Sequence, residues 1–222
     1  MSAWKMGSRC ALLVLTGSLV GCLGARELRR NYYVLRPPQP HRQLNRAIQG
    51  TVRVRDMTPE TAYDKVQLVI RMSDIQLRYS QSNLWAVRPH VMVSDHLAQS
   101  LAQHDLFLGV TRQLSERPDF VLSGDLRAIE VREFATQIRA HFSVDLRMTR
   151  FSDGEVLWSR SFDETRDVGT DSIPEAVHAL SALVEEATEK AITDLARNAD
   201  RFDPRPTRMS DRAEEGRAQD GR

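Results

Sequence analysis

Two long stretches of alternating apolar and polar residues constrain the fold of this 222-residue chain most strongly. In "DFVLSGDLRAIEVREF", the pattern places on one side Phe120, Leu122, Leu126 and Ala128. In "QIRAHFSVDLRMTRF", the alternating apolar residues are Ala140, Phe142, Val144, Leu146 and Met148. Alternation with period two gives a strand one apolar face. The Asp-Gly pair in "SDGE" then predicts a hairpin turn into a partner strand, "VLWSRSFDETRDV".

Shorter alternating stretches precede this hairpin. "GTVRVRDM" is typical of a half-exposed strand, and "LFLGVTR" predicts another short strand. "KVQLVIRM" and "DIQLRYS" are both strand-like, but the apolar phase changes across Ser73 and Asp74. A turn between two paired strands explains that change of phase.

Two segments have helical periodicity. The first begins at Pro89, with Val93, Leu97 and Leu101 at four-residue spacing. The second begins with Ser172 and Glu175, which have the spacing of a capping box. Together these elements predict a single α+β domain, in which two amphipathic helices cover a largely antiparallel or mixed β-sheet.

The N-terminus carries an apolar segment, residues 10–21, behind a basic start with Lys5 and Arg9. A helix that crosses a bilayer needs about 20 apolar residues, whereas a signal peptide needs roughly 7–15. The segment therefore predicts a signal peptide. Two forms remain open at this point: an ordinary secretion signal, and a signal whose cysteine is kept and acylated.

Composition excludes several classes of function. The formal net charge is +1, so no basic surface for nucleic acid is expected. The chain's two cysteines, Cys10 and Cys22, both lie near the N-terminus. A disulfide framework and a cysteine-based metal site are therefore not expected. Residues 200–222 mix both charges with Pro and Gly, which predicts a disordered tail.

The residues with catalytic chemistry form no recognised constellation. His90, His96 and His104 do not repeat at four-residue spacing, and no HExxH motif occurs. Their pattern favours solvent-facing polar residues, without a bound metal. Ser94 and Ser100 lack the G-x-S-x-G context of a nucleophile elbow. We therefore expect no enzyme activity, no cofactor and no metal.

Two tryptophans and one arginine are candidates for binding. Trp85 and Trp158 lie near strand ends, where an aromatic ring can contact a partner or pack beneath a helix. Arg71 lies within a predicted strand. It can serve in a structural ion pair or at an oligomer interface.

The end of the apolar segment resembles the bacterial lipobox. Leu19, Val20 and Gly21 precede Cys22 in the order that this motif requires. The resemblance implies cleavage between Gly21 and Cys22, with fatty acid, including palmitate, attached to Cys22. Leu23 stands where an Asp commonly retains lipoproteins at the inner membrane, so the same resemblance implies an outer-membrane anchor on the periplasmic side.

The chain from Cys22 to Asn198 resembles the ABC-type transport auxiliary lipoproteins, the PqiC-like family associated with MCE-type lipid transporters. The matching segments are "YYVL", "VRV", "LVIRMSDIQLRYSQSNLWAVRP", "FVLSGDLRAIEV", "DGEVLWSRSF" and the closing helix. Within them, Arg71, Tyr79, Trp85 and Pro89 occupy matching places.

The resemblance implies a non-enzymatic subunit that docks on an MCE-domain protein of an ABC lipid transporter. Arg71, Tyr79 and Trp85 are the implied partner-binding residues, and a homo-oligomer is possible. The implied organisation is a signal peptide at 1–21, a lipidated tether at 22–31, a domain at 32–199 and a tail at 200–222. The alternatives are a lipid carrier, which needs an apolar cavity of at least about 300 Å³, and an envelope hydrolase.

Overall fold

A computed structural model describes residues 29–39, 48–114, 117–134, 137–169 and 172–202. From Asn31 onward the described residues belong to one compact unit. The predicted signal peptide, Cys22 and residues 203–222 of the predicted tail lie outside the described residues.

The strands and helices follow one another along the chain in the order of an α+β domain, as predicted. The first half contains β1 (Asn31–Tyr33), β2 (Ile48–Val54), β3 (Thr58–Pro59), β4 (Gln67–Ser73), β5 (Gln76–Trp85) and α1 (Pro89–Gln103). The second half contains β6 (Phe107–Thr111), β7 (Phe120–Phe134), β8 (Gln137–Arg150), β9 (Val156–Asp167) and α2 (Ile173–Arg197). Short 3-10 turns span Thr61–Tyr63 and Ala199–Arg201.

The nine strands form one mixed sheet in which β7 is the central strand. One edge of β7 pairs in parallel with β2, then β3, then β4. Its other edge pairs antiparallel with β8, which in turn pairs antiparallel with β9. β4 and β5 form an antiparallel hairpin, while β1 joins β5 and β6 joins β2 in parallel.

The sheet is mixed, which is one of the two forms that the sequence predicts, and the expectation that it is largely antiparallel is not confirmed. Among the described strands, five of the eight pairings are parallel. The three antiparallel pairings are those of chain neighbours, which a short turn can join. The others join strands that are distant in the chain, and local alternation carries no information on their direction.

A β-bulge changes the side-chain alternation in the middle of β7. Leu126 lies opposite Val144, but Ala128 lies opposite Ser143, so one residue is added at Arg127. An added residue shifts every following side chain to the other face. Ala128 is therefore not on the same side as Phe120, contrary to the expectation.

The sheet has two chemically different faces at β8. The apolar face carries the buried residues Ala140, Phe142, Val144, Leu146 and Met148. The polar face carries His141, Ser143, Asp145 and Arg147. α2 contacts β7, β8 and β9, while α1 contacts β2, β6 and α2. Coverage of the rest of the sheet by the helices stays a prediction.

The two ends of α2 lie close to boundaries that the sequence predicts. The helix begins at Ile173 as predicted, although the N-cap Ser172 makes no side-chain capping hydrogen bond. Beyond the helix, Phe202 is buried and its ring meets that of Phe120 edge-on, with centroids 5.8 Å apart. Core packing thus continues to Phe202.

No helix in the described ranges is both long enough and apolar enough to cross a membrane.

Candidate functional site on the polar face of the sheet

A fully buried carboxylate, Glu130, organises the polar face where β4, β7 and β8 meet. Its side chain is 0% exposed. Tyr63 Oη donates to it at 2.6 Å, Arg71 Nε at 2.8 Å and Arg132 Nε at 3.0 Å, and His141 Nδ1 lies 3.1 Å away. The bulge in β7 produces this arrangement, because it turns Glu130 toward the face of His141.

The pKa values of three groups in this cluster are shifted away from neutral pH. Burial alone would raise the pKa of Glu130, but its hydrogen bonds, led by those from His141 and Arg71, lower that pKa to about 2. Burial raises the pKa of Tyr63 to about 12, and the hydrogen bond to Glu130 acts in the same direction. The hydrogen bond to Glu130 also raises the pKa of Arg71. A general acid or base works best with a pKa near the working pH. These three groups do not meet that condition.

Arg71 forms an ion pair with Glu130. Besides Glu130, its guanidinium donates to Tyr63 Oη at 2.9 Å. The arginine therefore joins β4 to β7 and to the turn that follows β3. Its side chain keeps 22% exposure, and a role in partner binding stays a prediction.

Tyr79 shares the face of Arg71, whereas Trp85 does not belong to this surface. Tyr79 lies opposite Val69 in the β4–β5 hairpin and is 37% exposed. Lys65 Nζ lies 5.5 Å from the centre of its ring. Trp85 is 1% exposed and packs in the core. Among the described residues its indole N–H has no hydrogen-bond partner.

Trp158 is also buried, but its indole is anchored. Its Nε1 donates to Asp194 Oδ2 at 2.8 Å, which links β9 to α2. The sequence left two possibilities for the tryptophans, contact with a partner or packing beneath a helix. Both rings are buried in the core.

A second feature of the polar face is a cavity of about 540 Å³ that lies over β7, β8 and β9. We call it the polar groove and define it by Arg55, Thr58, Ser123, Asp125, Arg147 and Ser159. Its floor follows the strand register. One row across the strands is Ser123, Arg147 and Ser159. The next row is Asp125, Asp145 and Ser161.

Gly124 permits the close approach of β7 and β8 beneath this groove. A Cβ atom at Gly124 would lie 2.5 Å from the backbone oxygen of Asp145 and 2.9 Å from a methyl group of Leu146. Both distances are below van der Waals contact. The strand pair therefore requires glycine here.

The expectation that the histidines of α1 face solvent is wrong for two of them. His96 and His104 are buried, because the side of α1 that carries them meets α2. His96 Nε2 lies 2.9 Å from Glu185, and His104 Nε2 lies 3.2 Å from Glu189. Burial lowers the pKa of His96, and the nearby Glu185 carboxylate opposes that shift without reversing it. The described part of the chain contains no group of three or more possible metal ligands.

His96 also holds the segment that follows β1. Its Nδ1 lies 3.2 Å from the backbone oxygen of Arg36. The backbone N–H of Arg36 donates to Ser181 Oγ at 3.2 Å, and that of Gln39 donates to Glu185 at 3.3 Å. A cavity of about 200 Å³ borders this segment.

Sequence reasoning missed Glu130 and the polar groove. Each lies in an alternating strand, where charged residues are ordinarily read as a solvated face. The available signal was "AIEV", in which an acidic residue is flanked by large apolar residues on both sides. That signal does not identify Tyr63 and Arg71, which are distant in the chain.

A family model described as the ABC-type transport auxiliary lipoprotein component matches residues 33–191. No curated protein matches the chain by sequence.

Solved structures share the fold. A crystal structure of a DUF330 protein from Xanthomonas campestris is 16% identical, covers 77% of this chain and 97% of its own, and has a TM-score of 0.66. A crystal structure of an uncharacterized protein is 15% identical, covers 75% and 99%, and has a TM-score of 0.60.

Proposed function

Because this chain belongs to the ABC-type transport auxiliary lipoprotein family, we propose that it is a lipid-anchored docking subunit of an MCE-type lipid transport system. The family match carries the proposal, since it spans most of the folded body. In this proposal the protein works by contact and performs no chemistry.

The anchor in this proposal is Cys22, in the outer membrane and on the periplasmic side. The lipobox-like "LVGC" supports it. Two or three acyl chains on one residue hold a protein far more firmly than one chain, since each buried methylene contributes about 0.8 kcal/mol. Cys22→Ser is expected to abolish labelling by fatty acid. A native protein that begins upstream of Cys22, or that carries no added acyl mass, would contradict the anchor.

The geometry of the described residues is consistent with a contact role. The buried carboxylate of Glu130 is enclosed by its partners and has no open position for a reacting group. The alternative of an acyl-chain carrier needs an apolar cavity. Of the two cavities described, the larger is lined mainly by charged and hydroxyl side chains, and the smaller has about 200 Å³.

We assign docking to the β4–β5 hairpin, whose turn and second strand carry exposed apolar residues. Ile75, in its turn, is 97% exposed, and Tyr79 follows on β5. Phe134 is also partly exposed. It lies on β7 two residues beyond Arg132, whose backbone is opposite that of Arg71 on β4. Large apolar residues left exposed on one hairpin and the strand beside it are typical of an interaction surface.

Affinity purification from detergent-solubilised membranes tests this function. The full-length chain should recover an MCE-domain protein, and Ile75→Asp with Tyr79→Ala should reduce that recovery at least tenfold. Leu108→Asp is the matched control, because Leu108 is an exposed apolar residue on β6, at the other end of the sheet order. Recovery of no MCE-domain protein in several detergents would contradict the proposal.

A further inference from the structure

The polar groove contains charged side chains that form no ion pair within the described part of the chain. Arg127 bonds to Asp145 and to Glu60, each at 2.7 Å. Asp56, at the rim, pairs with Arg112. These contacts pair Asp56, Arg127 and Asp145, which also line the groove.

Arg160 on β9 also lines the groove, and it lies 3.6 Å from Asp194. Three charges remain after these pairs. Within the described ranges, Arg55, Arg147 and Asp125 line the cavity without an ion pair. The groove therefore offers two cationic groups and one anionic group to a ligand.

Arg147 has the surroundings of a phosphate-binding arginine. Ser123 on β7 and Ser159 on β9 lie directly opposite it on either side. Side chains opposed across strands have Cβ atoms about 4.5–5.5 Å apart. The two hydroxyl groups can therefore donate to the same anion as the guanidinium, whose planar fork suits phosphate oxygens.

Asp125, in contrast to Arg147, would be stabilised by a cationic group of a ligand. It lies directly opposite Asp145, and like charges at such positions are destabilising. Arg127 is 2.7 Å from Asp145 but makes no ion pair with Asp125. A cationic group placed beside Asp125 would relieve the repulsion that remains.

The place for an anion at Arg147 and the place for a cation at Asp125 are a fixed distance apart. The row of Arg147 and the row of Asp125 are two residues apart along β7 and β8. Two residues of a strand span about 7 Å. Arg147 stands at one end of this span and Asp125 at the other.

From this juxtaposition we infer that the polar groove binds a phosphoethanolamine group, with its phosphate on Arg147, Ser123 and Ser159 and its ammonium on Asp125. The inference deepens the proposed function, and it rests on that function only in taking a phospholipid headgroup as the natural source.

Titration of the full-length chain, purified in a detergent without phosphate, tests the site. The probes are sn-glycero-3-phosphoethanolamine, glycerol 3-phosphate, inorganic phosphate and ethanolamine, each followed by calorimetry. We expect the first probe to bind at least tenfold more tightly than each of the others, because it alone satisfies both rows. Failure of every probe to bind would overturn the inference.

Two variants separate the two rows, and a third is their control. Arg147→Gln should weaken the binding of glycerophosphoethanolamine at least tenfold. Asp125→Asn should remove the preference over glycerol 3-phosphate and leave binding of inorganic phosphate unchanged. Arg139→Gln is the control, since Arg139 lies on the same face of β8, outside the groove, and pairs with Asp167.

The remaining outcomes are also decisive. Equal affinity for inorganic phosphate and glycerophosphoethanolamine, or no effect of Asp125→Asn, means a simple anion site and overturns the phosphoethanolamine assignment. The titration needs no transporter protein. Its failure therefore leaves the docking function standing, and a failed affinity purification leaves this site standing.

Discussion

The phenol of Tyr63 donates a hydrogen bond of 2.6 Å to the buried carboxylate of Glu130. This bond ties the turn after β3 to the middle of β7. A hydrogen bond to a charged group contributes about 1.5–3 kcal/mol to stability. Tyr63→Phe should lower the free energy of unfolding by that amount in urea titration. Tyr79→Phe, at an exposed tyrosine, is the control and should be neutral.

Glu130→Gln should be more damaging than Tyr63→Phe. The substitution leaves Arg71 and Arg132 without their shared counter-charge, and removing one member of a buried ion pair costs about 3–5 kcal/mol. Glu133→Gln is the matched control on β7, because its pair with Arg78 is exposed and contributes at most about 1 kcal/mol. Equal midpoints of urea unfolding for the two variants would contradict the central role of Glu130.

Acid should unfold the protein in part through Glu130. Its pKa is about 2 in the folded chain, below the ordinary value of 4.5. A lowered pKa stabilises the fold at pH values above the ordinary pKa, and this stabilisation is lost as the pH falls from about 4.5 toward 2. The stability of Glu130→Gln should therefore fall less steeply than that of the parent protein between pH 5 and 3, as followed by circular dichroism.

His96 should make the protein less stable in mild acid. Its pKa is lowered by burial, so the unfolded chain takes up a proton at a higher pH than the folded chain. The stabilisation is present above about pH 6.5 and declines below it.

The comparison of His96→Gln with the parent protein isolates this contribution. The difference between their urea midpoints should shrink from pH 7.5 to pH 5.5. His178→Gln, at an exposed position of α2, is the control variant. A difference that is constant across this pH range would contradict the assignment to His96.

Gly124→Ala should destabilise the β7–β8 pair by about 1–3 kcal/mol, because the added methyl group meets the backbone of Asp145 at 2.5 Å. Gly109→Ala, on β6, is the control, since its added methyl group would have ordinary contact with Thr51 at 3.5 Å. Thermal unfolding measures both. Equal melting temperatures for the two variants would mean that β7 and β8 can separate at little cost.

The sequence predicted the elements well wherever periodicity is local. The change of phase at Ser73 and Asp74 corresponds to the turn between β4 and β5. The Asp-Gly pair lies in the turn between β8 and β9, where Gly154 has a φ of 75° that favours glycine. Both helices begin where the pattern predicted.

The sequence failed where a long-range contact decides the outcome. The bulge at Arg127 leaves no local mark, yet it determines which face carries Glu130. The burial of His96 depends on the meeting of α1 with α2. The two-residue strand β3 exists only because β7 offers it an edge. Alternation within one segment contains none of this information.

The central position of β7 also has a consequence for the order of assembly. A ribosome delivers residues 48–73 well before residues 120–134, so β2, β3 and β4 emerge before their common neighbour exists. Until β7 arrives, the backbone groups that later pair with it are exposed to unwanted partners. Any folding intermediate that lacks β7 therefore exposes these strand edges to aggregation.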